Sequence, residues 1–135
     1  NEDAMPHLTI EHSANLTGLT DVQGLCNDLH RAMLESGLFE LGAVRVRALA
    51  ATAYVVADRA PENAFADLRL RIGQGRTEIE RQALGRRLMQ VAEMHFANLL
   101  ARPHFALSLS IEEIDSHFSW KKNTIHPRLR GTDKT

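Results

Sequence analysis

Met5-Pro6-His7-Leu8-Thr9-Ile10-Glu11 is the stretch from which the rest of the chain can be read. Leu8 and Ile10 fall on one side of an extended backbone, and His7, Thr9 and Glu11 on the other. That period of two marks a strand with one buried face. A proline directly after an internal methionine, behind the acidic leader Asn1-Glu2-Asp3-Ala4, leads to the expectation that the natural chain starts at Met5. Residues 1–4 are then an appended leader, set aside in reading the fold. A small second residue lets an initiator methionine be trimmed, which would leave Pro6 with a free secondary amine. Such an amine takes up a proton; the amide nitrogen of an internal proline does not. Pro6 is therefore a candidate general base. The alternative is a proline opening an edge strand, where its missing N–H costs little.

Composition bounds what that strand can belong to. The 135 residues include 16 basic and 17 acidic side chains, a formal charge of -1, so no global field favours nucleic acid or an anionic membrane. With 44% hydrophobic and 24% charged residues the chain has the balance of one globular domain. Its single cysteine, Cys26, excludes an internal disulfide framework and fits a reducing cytoplasm. No apolar run approaches the roughly 20 residues that span a bilayer.

Working outward from the first strand, Thr20-Asp21-Val22-Gln23 matches a capping box. Val22, Leu25, Cys26, Leu29, Met33 and Leu34 then recur at helical spacing up to Gly37, a natural C′ stop. A helix is expected over 21–36, with Cys26 as a small core residue. Ala43 to Ala48 alternates as a second strand, with Arg45 and Arg47 on one side. Ala50 to Ala57 reads as a further short strand. After a turn-rich break, Phe65 to Ile72 alternates again.

Gly73-Gln74-Gly75-Arg76 forms a tight turn before a second capping box, Thr77-Glu78-Ile79-Glu80. The helix it opens carries Ile79, Ala83, Leu84, Leu88, Val91, His95 and Leu99 on one stripe and ends before Pro103. Phe105 to Ile111 is a final alternating strand. Phe118-Ser119-Trp120 with Lys122-Asn123 reads as a terminal hairpin or edge ribbon. One domain is expected over residues 6–128, with residues 1–5 as leader plus initiator and 129–135 as a frayed tail.

Strand, helix, strand occurs twice, which is an α/β (α+β) fold of two βαβ units in one sheet. Right-handed crossovers put both helices on the same face. The other face, with Thr9, Arg45, Arg47, Asp67, Arg69, Ser108 and Ser110, is then left bare in a monomer. Sheets with parallel strands are seldom uncovered, so an oligomer in which sheets or their edges meet is expected.

Arginine is the informative residue type for chemistry. Arg45 and Arg47 leave a strand side by side, and Arg76 stands at a glycine turn on a helix N-terminus, a combination suited to a carboxylate or phosphate. The turn is neither a dinucleotide fingerprint nor a P-loop. Arg76 reads equally as an arginine helping that turn, and Arg69 and Arg71 read as solvated strand residues. The seven histidines show no metal-site spacing, and no Gly-x-Ser-x-Gly elbow is present. Arg81, Arg86 and Arg87 are flanked by Glu78, Glu80 and Glu93 and read as a solvated helix face.

Taken together, Met5-Pro6-His7 opening a strand, the arginine pair, and Ile72-Gly73-Gln74-Gly75-Arg76 before the second helix resemble the tautomerase superfamily. Within it the chain is most similar to the 5-carboxymethyl-2-hydroxymuconate isomerases. Leu107-Ser108-Leu109, Ile111-Glu112-Glu113, Lys121-Lys122-Asn123 and His126 carry the resemblance to near the end of the chain. It implies a cytoplasmic homotrimer of βαβ-repeat subunits, with no cofactor and no metal. The implied reaction is keto–enol isomerisation of a small carboxylate enol, 5-carboxymethyl-2-hydroxymuconate, to its 2-oxo-3-ene isomer in homoprotocatechuate breakdown. Pro6 would be the catalytic base, Arg45 and Arg76 would bind substrate, and Arg47 is a weaker candidate for the same role. Phe118 and Trp120 would wall the site or, more in keeping with their position, pack between subunits. The same frame also serves other tautomerases, haloacid dehalogenases and hydratases, and a non-catalytic trimeric binding protein is the remaining alternative.

Overall fold

The structure is a computed structural model that describes residues 5–132. The expected leader over 1–4 and the last part of the expected tail, 133–135, lie outside the described residues. The order is β1 (His7–Ser13), α1 (Val22–Glu35), β2 (Arg45–Ala51), β3 (Ala64–Gly73), α2 (Glu78–His95), α3 (Ala97–Leu100), β4 (Phe105–Ile114) and α4 (Ile125–Thr132). Two βαβ units therefore form one sheet in the order β2-β1-β3-β4. β1 runs parallel to β2, and β3 parallel to β4; the central pair, β1 and β3, is antiparallel. That antiparallel seam makes the two halves near-equivalent about the middle of the sheet.

One face of the sheet builds the core. Leu8 and Ile10 of β1 and Leu68, Leu70 and Ile72 of β3 are fully buried against Leu25, Leu29 and Met33 of α1 and Leu84 and Leu88 of α2. Truncating a core leucine of this kind to alanine removes about 2–5 kcal/mol. Cys26 is a half-buried part of this layer, and burial pushes its thiol up from the ordinary value, as befits an inert packing residue.

The second capping box forms as read: Thr77 accepts from the Glu80 N–H at 3.1 Å, and Glu80 accepts from the Thr77 N–H at 2.9 Å. The first does not. Asp21, not Thr20, is the N-cap and accepts from the Gly24 N–H at 2.9 Å. The Thr20 hydroxyl is instead hydrogen-bonded to His95 Nε2 at 2.9 Å, tying the start of α1 to the end of α2. Gly37, at φ 74°, supplies the left-handed residue after α1 that its position predicts.

Four further expectations need correction. Ala50–Ala57 is not a separate strand: β2 stops at Ala51, level with the end of β1 at Ser13. Beyond that point the chain has no edge to pair with, and it loops with Ala57 and Arg59 at positive φ. Ile79 and Ala83 are exposed, since Leu84, Leu88, Ala92 and Phe96 form the buried line of α2. Ile79 lies five residues before Leu84, about 140° round the helix. The stretch 116–124 is a single 3-10 turn, Ser116–Phe118, and irregular chain, not a ribbon. Residues 129–132, expected as tail, are the end of α4, and Arg130 is ion-paired to Glu40, with Nη2 donating to Oε1 at 2.6 Å.

Among the described residues no helix covers the opposite face of the sheet. In cross-strand register it presents Arg45, Arg47 and Leu49 of β2, His7, Thr9 and Glu11 of β1, Asp67, Arg69 and Arg71 of β3, and Ser108, Ser110 and Glu112 of β4.

Candidate active site

Parallel pairing of β1 with β2 brings His7 level with Arg45 and Thr9 level with Arg47; antiparallel pairing with β3 brings His7 level with Arg71. The start of β1 thus lies between two strands that both present arginine on the open face. Pro6 precedes it with less than 2 % of its surface exposed, and its carbonyl accepts from the Arg45 N–H at 3.2 Å. Both of its neighbours, Met5 and His7, line a cavity of about 280 Å³. Arg71, Gly73 and Gln74 from the end of β3, Ile114 from the end of β4, and Ser116, Ser119, Trp120 and Lys121 complete the wall. Such a volume is near the lower end of small-molecule sites.

Electrostatics at this end are one-sided. Burial lowers the His7 imidazole from its ordinary value, and Arg47, Arg45 and Arg71 lower it further. Arg47 Nη1 donates to His7 Nδ1 at 3.4 Å, a contact that requires that nitrogen to be unprotonated. Arg45 Nη1 donates to the Ala43 carbonyl at 3.0 Å, curling the guanidinium over the turn that leads into β2. That turn is clamped from the far end of the chain. The Asn123 amide donates to the Gly42 carbonyl at 2.9 Å, and His126 packs so closely on Gly42 that a Cβ there would lie 2.7 Å from its Nδ1. Glu40 receives Arg130 and lies 3.3 Å from His126 Nδ1; the Arg130 hydrogen bond above all holds its carboxyl down to about 2.

The structure brings Pro6, His7, Arg45 and Arg47 together at one end of the sheet, but places none of Pro6, Arg45, Arg47 and Arg76 on the cavity wall. Arg76 donates from Nη1 to the Gly73 carbonyl at 3.2 Å and from Nη2 to the Leu38 carbonyl at 3.0 Å, and lies 5.0 Å over the Phe39 ring. It fastens the glycine turn whose Gly73 and Gln74 face the cavity. Trp120 lines the cavity while remaining 85% exposed, and Phe118, also exposed, does not line it. Arg71, read from sequence as solvated, and Gln74 and Lys121, read only as parts of the turn and of the resemblance, line the cavity. Arg71 alternates with the buried residues of β3 just as Arg69 does, so only cross-strand register could single it out.

Among the described residues no group of three or more His, Cys, Asp or Glu side chains could hold a metal ion. None of the described helices is long and apolar enough to cross a membrane. A buried proline, an imidazole whose charged form is disfavoured, and guanidinium groups gathered at one end of the sheet beside a small cavity make a setting suited to an anionic ligand.

The model of one protein family, described as 5-carboxymethyl-2-hydroxymuconate isomerase, matches residues 6–129. The Escherichia coli protein named 5-carboxymethyl-2-hydroxymuconate Delta-isomerase is 32% identical over 122 residues, covering 90% of this chain and 97% of that protein. The crystal structure of a 5-carboxymethyl-2-hydroxymuconate isomerase from Deinococcus radiodurans R1 superposes with a TM-score of 0.88 at 38% identity, covering 95% of this chain and 96% of that one. A member of the cis-3-chloroacrylic acid dehalogenase family shares the fold at 15% identity, with a TM-score of 0.59 over 96% of this chain and 92% of its own.

Proposed function

The chain belongs to the 5-carboxymethyl-2-hydroxymuconate isomerase family of the tautomerase superfamily, and from that premise we propose that it ketonises 5-carboxymethyl-2-hydroxymuconate at the Pro6 cavity. The observation that carries this reading is the position of Pro6, buried beside a small cavity, at the end of the sheet where Arg45, Arg47 and Arg71 gather. In the reaction the 2-hydroxyl loses its proton and its electron pair forms the C2 carbonyl. The C2–C3 double bond moves to C3–C4, and the C4–C5 π pair takes a proton at C5. One amine can accept the first proton and deliver the second.

Pro6 performs both transfers once it is the first residue, because only then is its nitrogen an amine. A base that works near neutrality has to be unprotonated there. Burial and neighbouring guanidinium groups both disfavour an ammonium, by about 1.4 kcal/mol for each pKa unit. Arg45 and, more weakly, Arg47 hold substrate carboxylates and the enolate charge that develops as the hydroxyl proton leaves. Arg76 serves first by fixing the Gly73–Gly75 turn; contact with substrate would require it to release the Leu38 or Gly73 carbonyl. A homotrimer is the assembly in which the bare sheet face is covered and the cavity mouth is closed by neighbouring subunits.

The test is ultraviolet-monitored turnover of a chain beginning at Pro6 on a panel of enols and haloacids, with the product identified by NMR. Formation of the 2-oxo-3-ene from 5-carboxymethyl-2-hydroxymuconate, with kcat/KM highest for that acid, is expected. A higher kcat/KM on a haloacid or on an unrelated enol would overturn the assignment.

A further inference from the structure

We propose that Arg71 is the specificity-determining residue of this site: its guanidinium takes the carboxylate that distinguishes a tricarboxylate enol from a dicarboxylate one. The inference rests on the isomerase reading above and extends it to which acid the site prefers. Arg71 and Arg69 sit two residues apart on β3, on the same open face, yet their surroundings differ. Arg69 Nη2 donates to Glu11 at 3.1 Å, and its Nε lies 3.6 Å from Asp67. Arg71 has His7 level with it on one side and Glu112 on the other, and among the described residues it makes no hydrogen bond or ion pair.

The other guanidiniums near Pro6 have part of their donor capacity engaged. Arg45 donates to the Ala43 carbonyl, Arg47 to His7, and Arg76 to two carbonyls of its own loops. Of these four arginines, Arg71 is the one on the cavity wall. An uncommitted guanidinium facing a small cavity presents paired N–H donors in the geometry that a carboxylate matches. The turn immediately after it is held by Arg76, and Gln74 of that turn lines the same cavity. His7 between the arginines adds no charge while it is neutral, so the cations that a polyanion meets are Arg71 and Lys121 on the cavity wall and Arg45 and Arg47 beside it. A third carboxylate draws on one more of these partners than two do, and an enol lacking the carboxymethyl group leaves Arg71 unused.

The experiment uses the full chain beginning at Pro6, with Arg71→Gln and Arg71→Lys variants, on 5-carboxymethyl-2-hydroxymuconate and on 2-hydroxymuconate, which has one carboxylate fewer. Arg71→Gln is expected to raise KM for the first acid about 10- to 100-fold with kcat within about threefold, and to leave KM for the second within about twofold. Arg71→Lys should recover part of the loss. Equal KM changes on both acids, no change on either, or a loss of subunit assembly in place of a KM change would overturn the assignment. Calorimetry with propane-1,2,3-tricarboxylate and glutarate gives a readout that needs no turnover. Tighter binding of the tricarboxylate that Arg71→Gln abolishes is expected. If that preference holds while neither enol is turned over, the isomerase reading falls and the carboxylate subsite stands. If the unsubstituted chain shows no preference, the subsite falls whatever the turnover.

Discussion

The two ends of the open sheet face are built from the same kinds of residue and behave oppositely. At the far end Arg69 is ion-paired to both Glu11 and Asp67, and the Ser108 hydroxyl donates to Asp67 at 2.8 Å, so the arginine's charge is met where it arises. At the Pro6 end Arg45, Arg47 and Arg71 surround His7 and, among the described residues, have no carboxylate as a hydrogen-bond or ion-pair partner. The difference comes from register alone. Glu11 meets Asp67 across β1 and β3, and Arg69, opposite Thr9, reaches both; two pairs along the same face, His7 meets Arg71. Arginine on a strand is thus structural or available for a ligand according to which neighbour the pairing assigns it.

Removing a cation from the uncompensated end should have the largest effect. Arg45→Ala is expected to lower kcat/KM on 5-carboxymethyl-2-hydroxymuconate about 100- to 1000-fold, the usual cost of losing a preorganised charge partner, in steady-state kinetics. Making the two ends alike should cost less. Thr9 lies between Arg47 and Arg69 in register, so Thr9→Glu puts a carboxylate at the border of the two regions. A loss of about tenfold in kcat/KM is expected, since a charge about 4 Å away at a protein surface is worth on the order of 1–4 kcal/mol. The His7 titration followed by NMR should move upward at the same time.

Breaking the compensated end should matter least for activity. Asp67→Asn is expected to leave kcat/KM within about threefold and to remove at most about 1 kcal/mol in denaturant unfolding, as half-exposed ion pairs do. A large loss of turnover there would erase the distinction between the ends. Behind the cationic end, the Glu40 clamp should show itself as a stability gain that disappears in acid. The Glu40 carboxyl is held down to about 2 from its ordinary 4.5, so its contribution to stability is full above pH 4.5 and is lost as pH falls through about 2. The Tm difference between the unsubstituted chain and Glu40→Gln should therefore hold at higher pH and shrink toward zero between pH 4.5 and 2.

Much of the fold was legible because its signals are local. Thr77 with Glu80, Gly37 after α1, and the alternation of Leu8 with Ile10 and of Leu68 with Leu70 each act within a few residues. Tyr54-Val55-Val56 misled because β propensity needs an edge to pair with, and β1 ends at Ser13. Thr20 misled because a tertiary partner, His95, claims its hydroxyl while Asp21 caps the helix. The C-terminal helix was hidden because its reason to form lies in Glu40 and Gly42, far back in the chain. For the site, sequence named Pro6 and its strand arginines as candidates but could not rank Arg71, on the cavity wall, above ion-paired Arg69. That ranking depends on which strands are neighbours and in which register.

The most direct measurement compares two chains in the same ketonisation assay, one beginning at Pro6 and one retaining Met5 ahead of it. If the Pro6 amine is the base, activity on 5-carboxymethyl-2-hydroxymuconate should be high in the first. It should fall at least about 100-fold in the second, the scale of a lost general base. Equal activity in the two would contradict the account, because an amide nitrogen at Pro6 cannot carry the proton.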